Sequence, residues 1–200
     1  MSLDTKTHIL DKGAELVRRD GFNNTGLNAI LKAADVPKGS FYHYFDSKED
    51  FGLELIDYLR KGIGSFFRSY LVEDDSKPPL QRLRSFFESF RRSFMGEDIM
   101  SGCPIGNLTQ EMAASHPAFR EKLAEVFSDI YEPVGICLAQ AIEDGSLPER
   151  DDTYELARFI INSWQGALIY LKVADCERPL VLFEKFVFDR LLPSCVSEKE

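Results

Sequence analysis

The sequence holds few of the residues on which enzyme chemistry turns. Its three histidines, His8, His43 and His116, are scattered. They form no nucleophile–base pair and no metal-ligand spacing, so an enzyme is disfavoured and no metal or cofactor is expected. The four cysteines, Cys103, Cys137, Cys176 and Cys195, stand far apart with no CxxC. Structural zinc and a disulfide framework are both disfavoured by that spacing. No apolar run is long enough to span a bilayer, and the first residues lack signal-peptide form, so a cytoplasmic protein with no membrane partner is expected. There is no internal repeat, no low-complexity tract and no strand candidate.

Basic residues are also in deficit. The chain carries 24 Lys and Arg against 33 Asp and Glu, a formal net charge of −9. That excess argues against a nonspecific polyanion binder, which needs local positive charge to neutralise phosphates. The deficit is uneven, however. Residues 1–45 hold six Lys and Arg against five acids, so the acid excess lies downstream. A nucleic-acid reader joined to an acidic domain fits this split, and the acidic part would lower nonspecific affinity.

What the chain does have is helical periodicity and phenylalanine. Hydrophobic residues make up 44% of 200, charged residues 28%, and 16 residues are Phe against one Trp. This composition belongs to a globule with a core or pocket of flat apolar rings. Apolar residues Ile9, Leu10, Ala14, Leu16 and Val17 predict a first helix over 5–19, closed by Gly21. Leu27, Ile30, Leu31 and Ala34 predict a second over 25–34, broken by Asp35-Val36-Pro37. Pro37 is suited to start a third helix over 38–44. Within it Phe41, with Phe45 just beyond, faces inward, and Lys38, Ser40, Tyr42 and His43 point outward. Ser47 is a candidate N-cap for a helix running to about residue 72, with Asp50 at the reciprocal capping position. Five more helices are expected over about 80–94, 104–114, 117–145 (with Pro133 inside), 153–173 and 180–192. The fold class is therefore all-α.

A short helix, a tight turn and a second short helix with a polar outer face match the helix-turn-helix arrangement, whose second helix enters the major groove. Lys38 and Ser40 suit phosphates or base edges, and Gly39 allows close approach. Tyr42 and His43 suit backbone phosphate, and Lys48 adds charge at a helix start. The order Gly21-Phe22, Thr25, Ile30-Leu31-Lys32-Ala33-Ala34-Asp35-Val36-Pro37-Lys38-Gly39-Ser40-Phe41-Tyr42-His43-Tyr44-Phe45 and Ser47-Lys48-Glu49 resembles the N-terminal domain of the TetR family, and it covers roughly a quarter of the chain. The resemblance implies a homodimer that binds a (pseudo)palindromic operator in double-stranded DNA, usually as a repressor released by a small-molecule effector. Carried over residue by residue, it implies DNA contacts at Thr25, Lys38, Gly39, Ser40, Tyr42, His43 and Lys48. Tyr44 reads as a core aromatic and Lys32 as a solvated charge. On this basis residues 1–47 form a three-helix DNA-binding domain, and residues 48–200 form a larger helical domain for effector binding and dimerisation.

Effector-pocket candidates are Phe66, Phe67, Tyr70, Phe90 and Phe94, with Asn107, Trp164, Gln165 and Tyr170 as polar or aromatic anchors. The stretch Ser101-Gly102-Cys103-Pro104-Ile105-Gly106-Asn107-Leu108 stands out. Pro104 suits the first helical position, which sets Cys103 near the N-cap, where the positive end of the helix dipole favours the nucleophilic thiolate. The stretch is similar to one in a NemR-like, electrophile-sensing subset of the TetR family. Cys103 is either a sensor or ligand contact, or a packed structural thiol. Phe159, Ser163, Gly166, Ala167, Leu182, Phe183 and Phe186 offer an apolar face with small residues, which serves either a dimer interface or intramolecular burial. The competing class is a helical DNA-binding or adaptor protein that answers to no ligand.

Overall fold

A computed structural model describes residues 5–94 and 102–192, with the side chain of Phe94 outside the described residues. Among the described residues all regular structure is helical: α1 (Thr5–Asp20), α2 (Leu27–Ala34), α3 (Lys38–Tyr44), α4 (Lys48–Arg68), α5 (Pro79–Phe94), α6 (Pro104–Met112), α7 (Pro117–Glu143), α8 (Thr153–Ala174) and α9 (Arg178–Phe186). Single π-helical turns extend α4 over Ser69–Glu73 and α9 over Val187–Leu191. No helix is long and apolar enough to cross a membrane among the described residues. Ser101 and Cys195 lie outside the described residues.

The chain divides into two compact units, Met1–Gly62 with Cys103–Val126, and Ile63–Gly102 with Phe127–Glu200. In the first, α1 turns Ile9, Leu10 and Val17 inward, and α2 buries Ile30, Leu31 and Ala34. Asp35 ends α2 in the left-handed region at φ 50, and the Val36 N–H returns to the Leu31 carbonyl at 3.1 Å. Pro37 is the N-cap of α3 and not its first residue. Its carbonyl accepts the Ser40 N–H at 2.9 Å. The rings of Phe41, Phe45 and Phe51 then lock α3 onto α4, with centroids 4.9 to 5.7 Å apart. Ser47 caps α4 by accepting the Asp50 N–H at 3.0 Å. The Asp50 carboxylate reaches back one residue further than the capping box predicts, to the Asp46 N–H at 3.0 Å.

The rest of this unit fastens α4 to α7 and α1. Lys122 pairs with Asp57 and Arg60 with Glu125. Tyr58 donates to Asp11 at 3.3 Å, and Lys6 pairs with Glu54 at 3.1 Å. Packing is also tight at Gly52, where a Cβ would lie 2.7 Å from the rings of both Phe22 and Phe119.

In the second unit α5 is the centre of an aromatic core. Phe86 and Phe87 are buried, and Phe87 meets Trp164 of α8 at 5.1 Å and Phe183 of α9 at 4.9 Å. Arg91 ties α5 to α9 through Glu184 at 2.9 Å and Glu177 at 2.6 Å. Burial still outweighs that pairing at Glu184 and holds its carboxyl above the usual range. Buried Arg82 donates to the Asp74 carbonyl at 2.6 Å and to Gln140. Cys137 donates to the Pro79 carbonyl at 3.2 Å, and burial pushes its thiol up to about 11.

Candidate DNA-reading surface and effector regions

The first unit presents one polar surface built on α3. Phe41 is the one side chain α3 buries, so the other faces of this seven-residue helix are available to solvent. Lys38, Gly39, Tyr42 and His43 are exposed, and Ser40 is half-buried. The Lys38 ammonium lies 5.8 Å from the centre of the Tyr42 ring, so the pair forms one cationic, hydrogen-bonding tip. A Cβ at Gly39 would meet no atom within 4 Å, which leaves the backbone open to a bulky partner. Tyr44 is half-buried and packs edge-on to His43 at 4.8 Å.

Two residues named from the sequence are engaged elsewhere. Thr25 is only 2% exposed, and its hydroxyl donates to the Gly21 carbonyl at 2.6 Å. It reaches a phosphate only by releasing that bond. Half-buried Lys48 donates to the Asn23 carbonyl at 3.2 Å and sits 4.7 Å from the Phe22 ring centre.

The effector candidates fall in both units. In the second, Phe66, Phe67, Tyr70 and Phe90 come together around Phe86, a hub the sequence reading left out of the pocket, and Trp164 joins them through Phe87 and Phe90. Phe86 meets Phe67 at 4.6 Å and Phe90 at 4.9 Å. Phe66 and Tyr70 remain exposed on this cluster. Gln165 is half-buried on α8. Tyr170 is exposed further along α8, in register with Phe159, Ser163 and Gly166. In the first unit, half-buried Cys103 is the N-cap of α6 with Pro104 at its first turn, and its carbonyl accepts the Asn107 N–H at 2.9 Å.

Phe159, Ser163, Ala167, Leu182, Phe183 and Phe186 line one apolar groove of about 670 Å³ between α8 and α9, with Arg190 among its other lining residues. Gly166 lies on the same stretch of α8, with open space where a Cβ would sit.

A helix-turn-helix with a polar, accessible second helix defines a DNA-binding transcriptional regulator. The comparisons with known proteins agree. Residues 9–55 match the family signature of the bacterial regulatory proteins, tetR family, and residues 79–187 match the tetracyclin repressor-like C-terminal domain. The chain is 34% identical over 189 residues to the HTH-type transcriptional repressor DhaR of Mycobacterium sp. (strain GP1), covering 94% of this chain and 93% of that protein. The crystal structure of the reduced form of E. coli NemR superposes with a TM-score of 0.86 at 26% identity, over 93% of this chain and 96% of the other. A regulatory protein TetR from Rhodobacter sphaeroides superposes with a TM-score of 0.83 at 34% identity, over 92% and 96%. The protein belongs to the TetR family of transcriptional regulators.

Proposed function

We propose that the protein is a repressor that acts as a homodimer on a (pseudo)palindromic operator and is released by a small-molecule or electrophilic effector. The observation that carries the reading is the outer face of α3, where Lys38, Gly39, Tyr42 and His43 are exposed above the single anchor Phe41. Lys38, Ser40, Tyr42 and His43 contact bases and phosphates, Gly39 lets the duplex approach, and Thr25 and Lys48 hold or touch the adjoining backbone. Residues 1–47 read DNA, and residues 48–200 bind the effector and dimerise. The apolar groove of α8 and α9 is covered by the same groove of a second copy, because an isologous contact suits a self-complementary apolar face with small residues. We infer a cytoplasmic protein, since that is where its operator lies.

Two chemistries suit the effector. An apolar molecule fits against Phe66, Phe67, Tyr70 and Phe90, with Trp164, Gln165 and Tyr170 as anchors on α8. An electrophile fits Cys103, at the start of α6 beside Asn107. Likeness to a repressor crystallised in a reduced form supports the thiol reading. Either effector acts by favouring a dimer in which the two α3 helices no longer stand one DNA turn, about 34–36 Å, apart. Strong release needs a few kcal/mol of preference for that state.

The test is fluorescence anisotropy on DNA from upstream of the protein's own gene, before and after N-ethylmaleimide. Tight, salt-sensitive binding that the reagent abolishes, and that survives it in Cys103→Ser, supports a thiol-switched repressor. Binding that persists after alkylation directs the search to apolar ligands. Failure to bind that DNA, or any duplex selected from a random library, refutes the reading of α3.

A further inference from the structure

The turn between α1 and α2 is held by a side chain from far along the sequence. Gly21 closes α1 with its N–H on the Val17 carbonyl at 2.9 Å and a φ of +83, in the left-handed region. The next two backbone N–H groups, of Phe22 and Asn23, are thereby freed from the helix and turned toward one point. Successive N–H groups after a left-handed residue form a concave anion site. The Glu111 carboxylate fills it, with Oε1 3.1 Å from the Phe22 nitrogen and Oε2 2.8 Å from the Asn23 nitrogen. A Cβ on residue 21 would lie 2.6 Å from Oε1, so the glycine also leaves the space the carboxylate occupies.

Two carbonyls of the turn are taken by the DNA-reading segment itself. The Gly21 carbonyl accepts from Thr25, and the Asn23 carbonyl accepts from Lys48. Phe22 packs edge-on to Phe119 of α7 at 5.5 Å. The turn is thus a junction of two sets of groups. Thr25 and Lys48 come from the reading segment, while Glu111 and Phe119 come from α6 and α7, some ninety residues on.

We propose that Glu111 is a positioning residue for operator binding. It docks α6 into the turn, and through the turn it fixes where α2 and Lys48 are held. This rests on the reading of α3 as the DNA-contacting helix. Two hydrogen bonds accepted by one carboxylate tolerate a displacement of only a few tenths of an ångström before they weaken steeply. A slip of α6 by one residue, about 1.5 Å along its axis, breaks both. Cys103 caps the same helix eight positions earlier, about 12 Å away at that rise, so movement of α6 caused at its start is felt at the turn.

The proposal predicts a sign that charge alone does not. Removing an acid from the DNA-binding unit lowers repulsion of phosphate and should tighten binding. Removing a positioning contact should loosen it. Glu111→Gln keeps the shape, removes the charge and leaves one oxygen for two N–H donors. The expected result is an operator Kd raised about tenfold at fixed salt, at a temperature where the variant is fully folded. The dependence of log K on log salt should change little, because every cation that meets a phosphate is still present and only its placement costs more. Hydrogen exchange at the Phe22 and Asn23 amides should accelerate in the DNA-free protein. A merely structural role would lower the melting midpoint and leave Kd alone.

Binding by Glu111→Gln that equals or exceeds wild type, with exchange accelerated, overturns the proposal. Should the wild type bind no duplex, the reading of α3 has failed separately. Unchanged amide exchange in Glu111→Gln then overturns the docking itself. Glu111→Ala serves as a second variant, and the near-isosteric glutamine keeps the test decisive if the alanine form misfolds.

Discussion

Truncating Phe186 is expected to weaken self-association far more than a surface substitution should. The ring is 60% exposed on the α8–α9 groove, where Leu182 and Phe159 are also exposed. An aromatic side chain of about 200 Å² therefore leaves roughly 120 Å² for a second copy to cover. At about 25 cal/mol per Å² that is ~3 kcal/mol in each protomer. Two-fold symmetry removes the contact twice in Phe186→Ala, for a gross loss of ~6 kcal/mol. Association returns only part of such a sum, because ordering and lost freedom oppose it. If about a third survives, the dimer Kd rises by roughly thirtyfold. Phe186→Glu should do more, since it sets two like charges in an apolar groove. Sedimentation equilibrium from nanomolar to micromolar protein reads the constant directly, and operator affinity should fall in parallel. A Phe186→Ala dimer as tight as wild type would refute the assignment of this groove to the homodimer.

Three further outcomes follow from charge and burial. Lys38→Ala should weaken binding to all duplexes alike and lower the salt slope by about one if the ammonium sits on a phosphate; sequence-selective loss with an unchanged slope would instead mean a base contact. Cys137, buried and hydrogen-bonded to Pro79, should resist N-ethylmaleimide in the native protein, and mass spectrometry should find it labelled only after unfolding. Its ordinary value of 9.0 is raised to about 11 by burial, so the folded state binds the thiol proton more tightly than the unfolded chain does. That contribution is fully present below pH 9 and is lost as pH rises through about 11, an expected drop of about 2–3 kcal/mol. Urea melts across that range should show a shallower fall in Cys137→Ala, and identical curves would contradict the buried-thiol account.

The helices were legible because each is written in local terms. Pro37 and Phe45 bracket α3, Ser47 caps α4, and the spacing of Phe41, Phe45 and Phe51 sets one face against another. The outward direction of Lys38, Tyr42 and His43 follows from the same spacing. What stayed hidden was non-local. The π-turns after Arg68 and Phe186 carry no periodic signature, since one extra residue per turn is a response to packing. Thr25 has a residue type suited to phosphate, yet its hydroxyl is committed to Gly21, which only the turn geometry reveals. Glu111 reads in sequence as one more acid on a short helix. Its partners are backbone N–H groups 88 and 89 residues away, and backbone donors leave no trace in side-chain pattern.

The slightness of α3 has a consequence for how such a protein changes over generations. One buried ring, Phe41, holds the helix, while positions 38, 39, 42 and 43 carry little packing duty. Exchanges on an exposed face typically shift stability by no more than about half a kcal/mol. If α3 reads DNA as proposed, the residues that would choose the sequence are nearly decoupled from those that keep the protein folded. A duplicated copy could drift toward a new operator one outward residue at a time, while its core stays as it was.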